Sequence, residues 1–192
     1  MLQKKIILIT LAIAFNAFAA YFDFGVGKGV GLTSVDGKYV SNSDAVGEVE
    51  DCGDGCLSPA FEYGVRIGAP ITQSLILAGE FEGMGNVYTE KNKYLVLNNF
   101  YVGPSLIFYL TKHLQMSGSM GFAWTDNRTN SSKADDENGT GIGMSLSMAF
   151  DTGTNNGALI GAKLFGSSVS LDKSGKQNAT VGLMLFARFI HK

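Results

Sequence analysis

The sequence predicts an all-β fold, an eight-stranded antiparallel up-and-down transmembrane β-barrel, and three observations predict it. Period-two alternation recurs about eight times. One face of each alternating run is almost purely Phe, Leu, Ile, Val and Met, while the other is Gly, Ser, Thr and Ala with scattered charges. Long polar connections alternate with short ones, so the two kinds segregate to opposite ends of the sheet.

Successive side chains of a strand point to opposite faces, so each run can be read in order. In the first, Phe22, Phe24, Val26, Val30 and Leu32 oppose Tyr21, Asp23, Gly25, Gly27, Gly29 and Gly31. In the second, Phe61, Tyr63, Val65 and Ile67 oppose Glu62, Gly64, Arg66 and Gly68. The third sets Leu75, Leu77, Gly79 and Phe81 against Ile76, Ala78, Glu80 and Glu82. The fourth sets Phe100, Val102, Pro104, Leu106 and Phe108 against Tyr101, Gly103, Ser105, Ile107 and Tyr109. The fifth, from Leu114 to Thr125, and the sixth, from Gly141 to Phe150, alternate with almost no exception. The seventh, from Ala158 to Phe165, carries bulk on both faces, and the eighth sets Val181, Leu183, Leu185, Ala187 and Phe189 against Thr180, Gly182, Met184, Phe186 and Arg188.

Polar connections fall near residues 33 to 57, 85 to 93, 126 to 139 and 167 to 178, and short ones near 69 to 73, 111 to 113 and 151 to 156. An even strand count then puts both chain ends at the short-turn end, which predicts periplasmic termini and outer loops. The runs are each about 9 to 12 residues, the length a tilted strand needs to cross a bilayer. A soluble barrel shows polar residues outside, whereas here the greasy face is too bare of charge to be a solvated surface. Hydrocarbon accepts that face, and closure satisfies every backbone hydrogen bond.

Lys4 and Lys5 precede an apolar stretch from Ile6 to Phe15 and then Ala17-Phe18-Ala19. This is the pattern of a cleavable secretory signal, which predicts a signal peptide over 1–19 and one barrel domain over 20–192, with no peptidoglycan-binding domain after it. The signal places Cys52 and Cys56 in an oxidising compartment and predicts a small loop disulfide between them. A metal site is not expected, because two further soft ligands are lacking nearby. Formal charge is −2, and Lys and Arg form no stripe, which argues against nucleic-acid binding.

These residues resemble the small eight-stranded outer-membrane barrels of OmpA and OmpX type, over essentially the whole mature chain. The resemblance rests on Phe22-Asp23-Phe24-Gly25-Val26-Gly27, on Tyr101-Val102-Gly103-Pro104-Ser105-Leu106, and on the alternating last strand carrying Phe189. It implies a monomer in outer-membrane lipid, at the cell outer membrane of a Gram-negative-type bacterium. Three residues depart from the pattern. Lys28 falls on the lipid face, where a midplane cation costs roughly 2–4 kcal/mol unless a bulge or snorkelling relieves it. Pro104 lacks a ladder donor and belongs at a bulge or local break. The chain continues past Phe189 to Ile190-His191-Lys192.

The interior of eight strands is just wide enough for side chains to fill. Inward charges must therefore find partners: Asp23, Glu62, Glu80 and Glu82 against Arg66, Lys163 and Arg188. Register predicts an Asp23–Arg188 pair across the closing seam, Arg66 reaching Glu80 diagonally, and Lys163 approaching Glu62 and Glu82 from the opposite wall.

Catalytic motifs are missing: Gly25 to Gly31 lacks dinucleotide-loop spacing, and no G-x-S-x-G, H-E-x-x-H or Walker sequence occurs. His113 and His191 fall at the short-turn end, away from an outer-rim site, and Glu80 and Glu82 read as network members. No enzyme and no cofactor is expected. Asp36, Asp44, Glu48, Glu50, Asp51, Asp54 and Asp135-Asp136-Glu137 make the outer connections acidic, which is ordinary solvated charge or a surface for an extracellular ligand. The sequence thus predicts a structural or surface-recognition barrel, with a small porin-like solute channel as the rival and a lipid-modifying barrel enzyme behind both.

Overall fold

The computed structural model describes residues 21–40, 57–90, 93–129, 137–153 and 155–192. Residues 1–19, read as a signal, and Cys52 and Cys56, expected to form a disulfide, lie outside the described residues. The strands are β1 (Tyr21–Val35), β2 (Lys38–Tyr39), β3 (Ser58–Pro70), β4 (Leu75–Glu90), β5 (Lys93–Tyr109), β6 (Leu114–Thr129), β7 (Glu137–Asp151), β8 (Asn156–Leu171) and β9 (Gln177–His191).

Apart from the two-residue β2, which folds back on β1 through an Asp36-Gly37 turn with both residues at positive φ, every strand pairs antiparallel with its neighbours. The ladder β1–β9 closes the sheet into an eight-stranded barrel. Following Cα partners once round, Phe24, Val65, Phe81, Val102, Phe122, Ile142, Ser168 and Ala179 lead back to β1 at Ser34, so the barrel is staggered by ten residues. Among the described residues no ladder edge is left open by the eight long strands, which is the condition for crossing hydrocarbon.

Polarity is inverted relative to a soluble barrel. Leu185 is 71% exposed and Val26 66%, whereas Arg66 and Lys163 are 1% and 2% exposed. Alternation does this: along β7, Ile142, Met144, Leu146, Met148 and Phe150 face out while Gly143, Ser145, Ser147 and Ala149 are buried. The glycine run of β1 makes room for the closing strand. A Cβ on Gly25 would lie 2.2 Å from the Ala187 carbonyl oxygen and 2.4 Å from Arg188 Cγ, so the Arg188 side chain crosses into the lumen over a backbone that must be bare.

The eight long strands, at 13 to 17 residues, exceed the crossing length read from the alternating runs. Of the polar stretches near 85 to 93, 126 to 139 and 167 to 178, residues 85–90, 93, 126–129, 137–139, 167–171 and 177–178 are strand. The link between β4 and β5 is only residues 91–92, and β8 joins β9 through 172–176. On β6 and β1 the outward face turns from apolar to polar toward the loop end, from Trp124 to Asp126 and from Leu32 to Ser34, so these ladders rise past the apolar band. Turns 71–74 and 110–113 are held by Thr72 Oγ1 and Thr111 Oγ1, each accepting from backbone N–H groups two and three residues on.

Candidate functional site

The lumen is built in layers, and the strands fix their order. Nearest the short turns, Asp151 is a small hub: Tyr109 donates to Oδ2 at 2.7 Å, Lys192 Nζ donates to the same oxygen at 2.6 Å, and the Gly153 N–H donates to Oδ1 at 2.7 Å. An apolar plug of Tyr21, Ile76, Ile107, Leu159, Phe186 and Ile190 follows, each of them buried.

Above it lie the seven charged residues singled out in sequence, all 2% exposed or less. Asp23 takes two cations at once. Arg66 Nε donates to Oδ2 at 2.7 Å, and Arg188 NH1 donates to Oδ1 at 3.1 Å across the β1–β9 seam. Tyr21 also donates its hydroxyl to Asp23 Oδ2. The Arg66–Glu80 pair read from register is not formed. Asp23 on β1 and Glu80 on β4 are both Cα partners of Arg66, and the guanidinium turns to the former, where Ser117 and Gln115 accept its other nitrogens at 2.7 and 3.2 Å.

Lys163 enters from β8, facing β4 across the lumen, and donates to both oxygens of Glu82 at 2.6 Å. Glu62 and Glu80 lie 3.5 and 3.6 Å from the same ammonium. Arg188 NH2 stands 3.8 Å from Glu62 and 3.6 Å from Glu82. These contacts are too long for good hydrogen bonds, and the carboxylate oxygens of Glu62 and Glu80 accept none. The set sums to one formal negative charge, four acids against three bases.

Sequence reasoning missed three partners. Phe186 presents its ring to Lys163 at 5.5 Å and to Arg188 at 5.3 Å, a cation–π contact from a residue that alternation marks only as inward. Tyr101 donates to Ser145 Oγ at 2.9 Å and reaches Glu82 at 3.4 Å. Lys192, last in the sequence, is the cation of the Asp151 hub. Only the inward parity of Tyr101 and Phe186 signalled them.

Toward the loop end a second apolar layer of Met84, Tyr101, Phe165 and Met184 gives way to a neutral ladder. Thr33 and Thr180 share a 3.0 Å hydrogen bond across the seam, Asn86 donates to Thr33 at 3.1 Å, Asn99 donates to Thr180 at 3.3 Å, and Ser167 donates to Asn99 at 3.3 Å. Tyr88 and Leu97, with Val40, form an apolar cap on one side.

His113 and His191 stand at the short-turn end. His113 stacks on Phe150 and bonds the Asp151 backbone oxygen through Nδ1, and His191 bonds Asn156 at 2.6 Å. Of the acidic connections, Asp44, Glu48, Glu50, Asp51, Asp54, Asp135 and Asp136 lie outside the described residues. Glu137 is occupied locally, accepting from the N–H groups of Lys173 and Ser174 at 3.2 and 2.7 Å. Among the described residues, no group of three or more His, Cys, Asp or Glu is placed to hold a metal ion.

Two departures resolve differently. The β5–β6 ladder keeps one register but drops its pairs at Gly103 and Pro104, so the proline sits at a local break. At Lys28 no bulge intervenes, since β1 pairs without interruption on both sides.

No protein-family profile and no curated protein matches this chain in sequence. In structure it is similar to Ail, the attachment invasion locus protein of Yersinia pestis, solved in complex with the heparin analogue sucrose octasulfate. The TM-score is 0.57 at 14% identity, over 88% of this chain and 97% of that one. It is also similar to Neisserial surface protein A, at TM-score 0.53 and 10% identity over 89% and 97% of the two chains. The outer membrane protein OprG from Pseudomonas aeruginosa matches at TM-score 0.50 and 10% identity, over 91% and 98%. The fold is that of the small eight-stranded outer-membrane barrels.

Proposed function

We propose that this chain is a non-enzymatic outer-membrane barrel of a Gram-negative-type bacterium, exported behind a cleavable signal at residues 1–19 with its termini periplasmic. Its role is structural or recognition at the cell surface, through the loop-bearing rim. One observation carries the reading. Among the described residues the lumen is stacked with an apolar plug, an ion cluster without exposed members, a second apolar layer and a hydrogen-bonded ladder, which supports a filled interior over an open channel.

The outward apolar band supports the membrane assignment, because a surface with Leu185, Val26, Leu146 and Ile160 more than 60% exposed is a liability in water and ordinary in lipid. Ail, of the same fold and solved with a heparin analogue, supports extracellular binding as a class of role. Charge argues for a different ligand here. The connections of this chain are acidic at Asp44, Glu48, Glu50, Asp51, Asp54, Asp135 and Asp136, so a cationic or cation-bridged partner fits better than a sulfated sugar.

Planar-bilayer recording of the refolded protein tests the reading. Silence is the expected result. Reproducible single-channel steps would overturn the filled-lumen scaffold and install the small solute channel.

A further inference from the structure

The outer wall is not uniform. Over β9, β1, β3 and β4 it carries an apolar groove of about 540 Å3, floored by Val26 and Ala187 between two ring pairs, Phe24 with Phe189 and Tyr63 with Phe81. The next outward residue of β1 toward the loop end is Lys28, whose Cα partners Phe61 and Leu185 are themselves outward and apolar. Among the described residues Lys28 is the one charged side chain on the outward face of the apolar band, and it forms no hydrogen bond or ion pair with another described residue.

The two features meet in one ligand chemistry. On β1 the outward apolar residues run from Phe22 to Leu32, and Lys28 stands six residues from the first and four from the last, nearer the loop end. A lysine stem is long and flexible enough to lie along apolar surface and bring its ammonium toward the nearer headgroup layer. A cation there gains from an anionic headgroup, and the groove just below it accepts an acyl chain.

Resting on the lipid-facing assignment of this wall, we propose that the groove and Lys28 form a site for one anionic lipid of the loop-side leaflet, its chain between the ring pairs and its phosphate on Lys28. Charge complementarity selects lipid over a second copy of the barrel: among the described residues the outer wall offers no acidic side chain within the band to meet Lys28.

The test uses the full mature chain refolded into phosphatidylcholine vesicles containing a minor share of phosphatidylglycerol, then released in mild detergent for native mass spectrometry. Wild type retains phosphatidylglycerol about tenfold above its share, equivalent to a modest binding preference. Lys28→Met abolishes the enrichment, and so does Ala187→Trp, which fills the groove and leaves the lysine in place. Heat-modifiable migration shows that each variant has folded.

A folded wild type without enrichment, or a Lys28→Met variant that keeps it, overturns the site. A Lys28-dependent dimer in the same spectra overturns the lipid as occupant. A wild type that fails to insert at all defeats the lipid-facing wall itself, and this inference with it.

Discussion

Beyond the Asp151 hub, the described residues of the lumen form two polar regions of opposite design. Toward the short turns, seven acidic and basic side chains are crowded among Tyr21, Gln115, Ser117 and Phe186. Toward the loop end, Thr33, Asn86, Asn99, Ser167, Asn178 and Thr180 make a ladder without a charge. Both are buried and both tie distant strands together, but the currency differs. Beside its short pairs at Asp23 and Glu82, the cluster uses charge over the 3.5–3.8 Å separations seen at Glu62, Glu80 and Arg188, where hydrogen-bond geometry is loose. The ladder depends on hydrogen-bond lengths and directions. Losing a member should therefore be far more costly in the cluster, where an uncompensated buried charge is left behind, than in the ladder.

The sharpest way to break this contrast is Lys163→Met, which keeps length and removes the ammonium shared by Glu62, Glu80 and Glu82. Removing one partner of a buried ion pair costs about 3–5 kcal/mol, and this cation serves three carboxylates, so a loss at the upper end of that range is expected. Urea unfolding in lipid vesicles, followed by the fluorescence of the single tryptophan, Trp124, measures it. Adding Glu82→Gln should restore most of the stability by removing the nearest stranded charge. A loss that the second change leaves untouched would show that Lys163 matters for packing against Phe186 and not for charge.

A smaller effect, still on the charged side, is expected for Arg66→Met. Asp23 loses its 2.7 Å partner but keeps Arg188 and the Tyr21 hydroxyl, so the carboxylate is not stranded. A loss of about 2–3 kcal/mol is expected, below that of Lys163→Met, because a hydrogen bond to a charged group and its satisfied partners Ser117 and Gln115 are removed together. Equal losses in the two variants would mean that Arg188 does not hold Asp23 alone.

The same contrast separates what the sequence made legible from what it hid. Period two identified all eight barrel strands and which side chains face inward, because a strand in lipid must keep its polar atoms on one face. It could not say that Arg66 turns to Asp23. The two share a ladder between β1 and β3, strands separated by a connection too long to fix register, whereas Arg66 and Glu80 sit on one short hairpin that can be read directly. Strand ends were hidden for a related reason. Above the apolar band the contrast between faces is lost: Val87 and Val96 on one face match Tyr88 and Leu97 on the other, so the ladder residues Val87 to Glu90 and Lys93 fall in a stretch that reads as loop. Phe186 was placed inward but not between two cations, since parity gives a face and no depth.

The smallest expected effect lies in the ladder. Thr180→Val replaces a hydroxyl by a methyl of nearly the same shape, so packing is kept while three contacts go: the 3.0 Å bond with Thr33, the 3.3 Å bond from Asn99, and the 3.4 Å approach to Asn178. None of the neighbours is charged. Asn86 still donates to Thr33, and Ser167 still donates to Asn99, so Thr33 and Asn99 each retain a partner and Asn178 alone loses its own. The cost should be about 1 kcal/mol, that of a neutral hydrogen bond and not of a stranded ion. The same vesicle unfolding assay reads it. A loss as large as that of Lys163→Met would show that the ladder, and not the ion cluster, is what ties the β1–β9 seam.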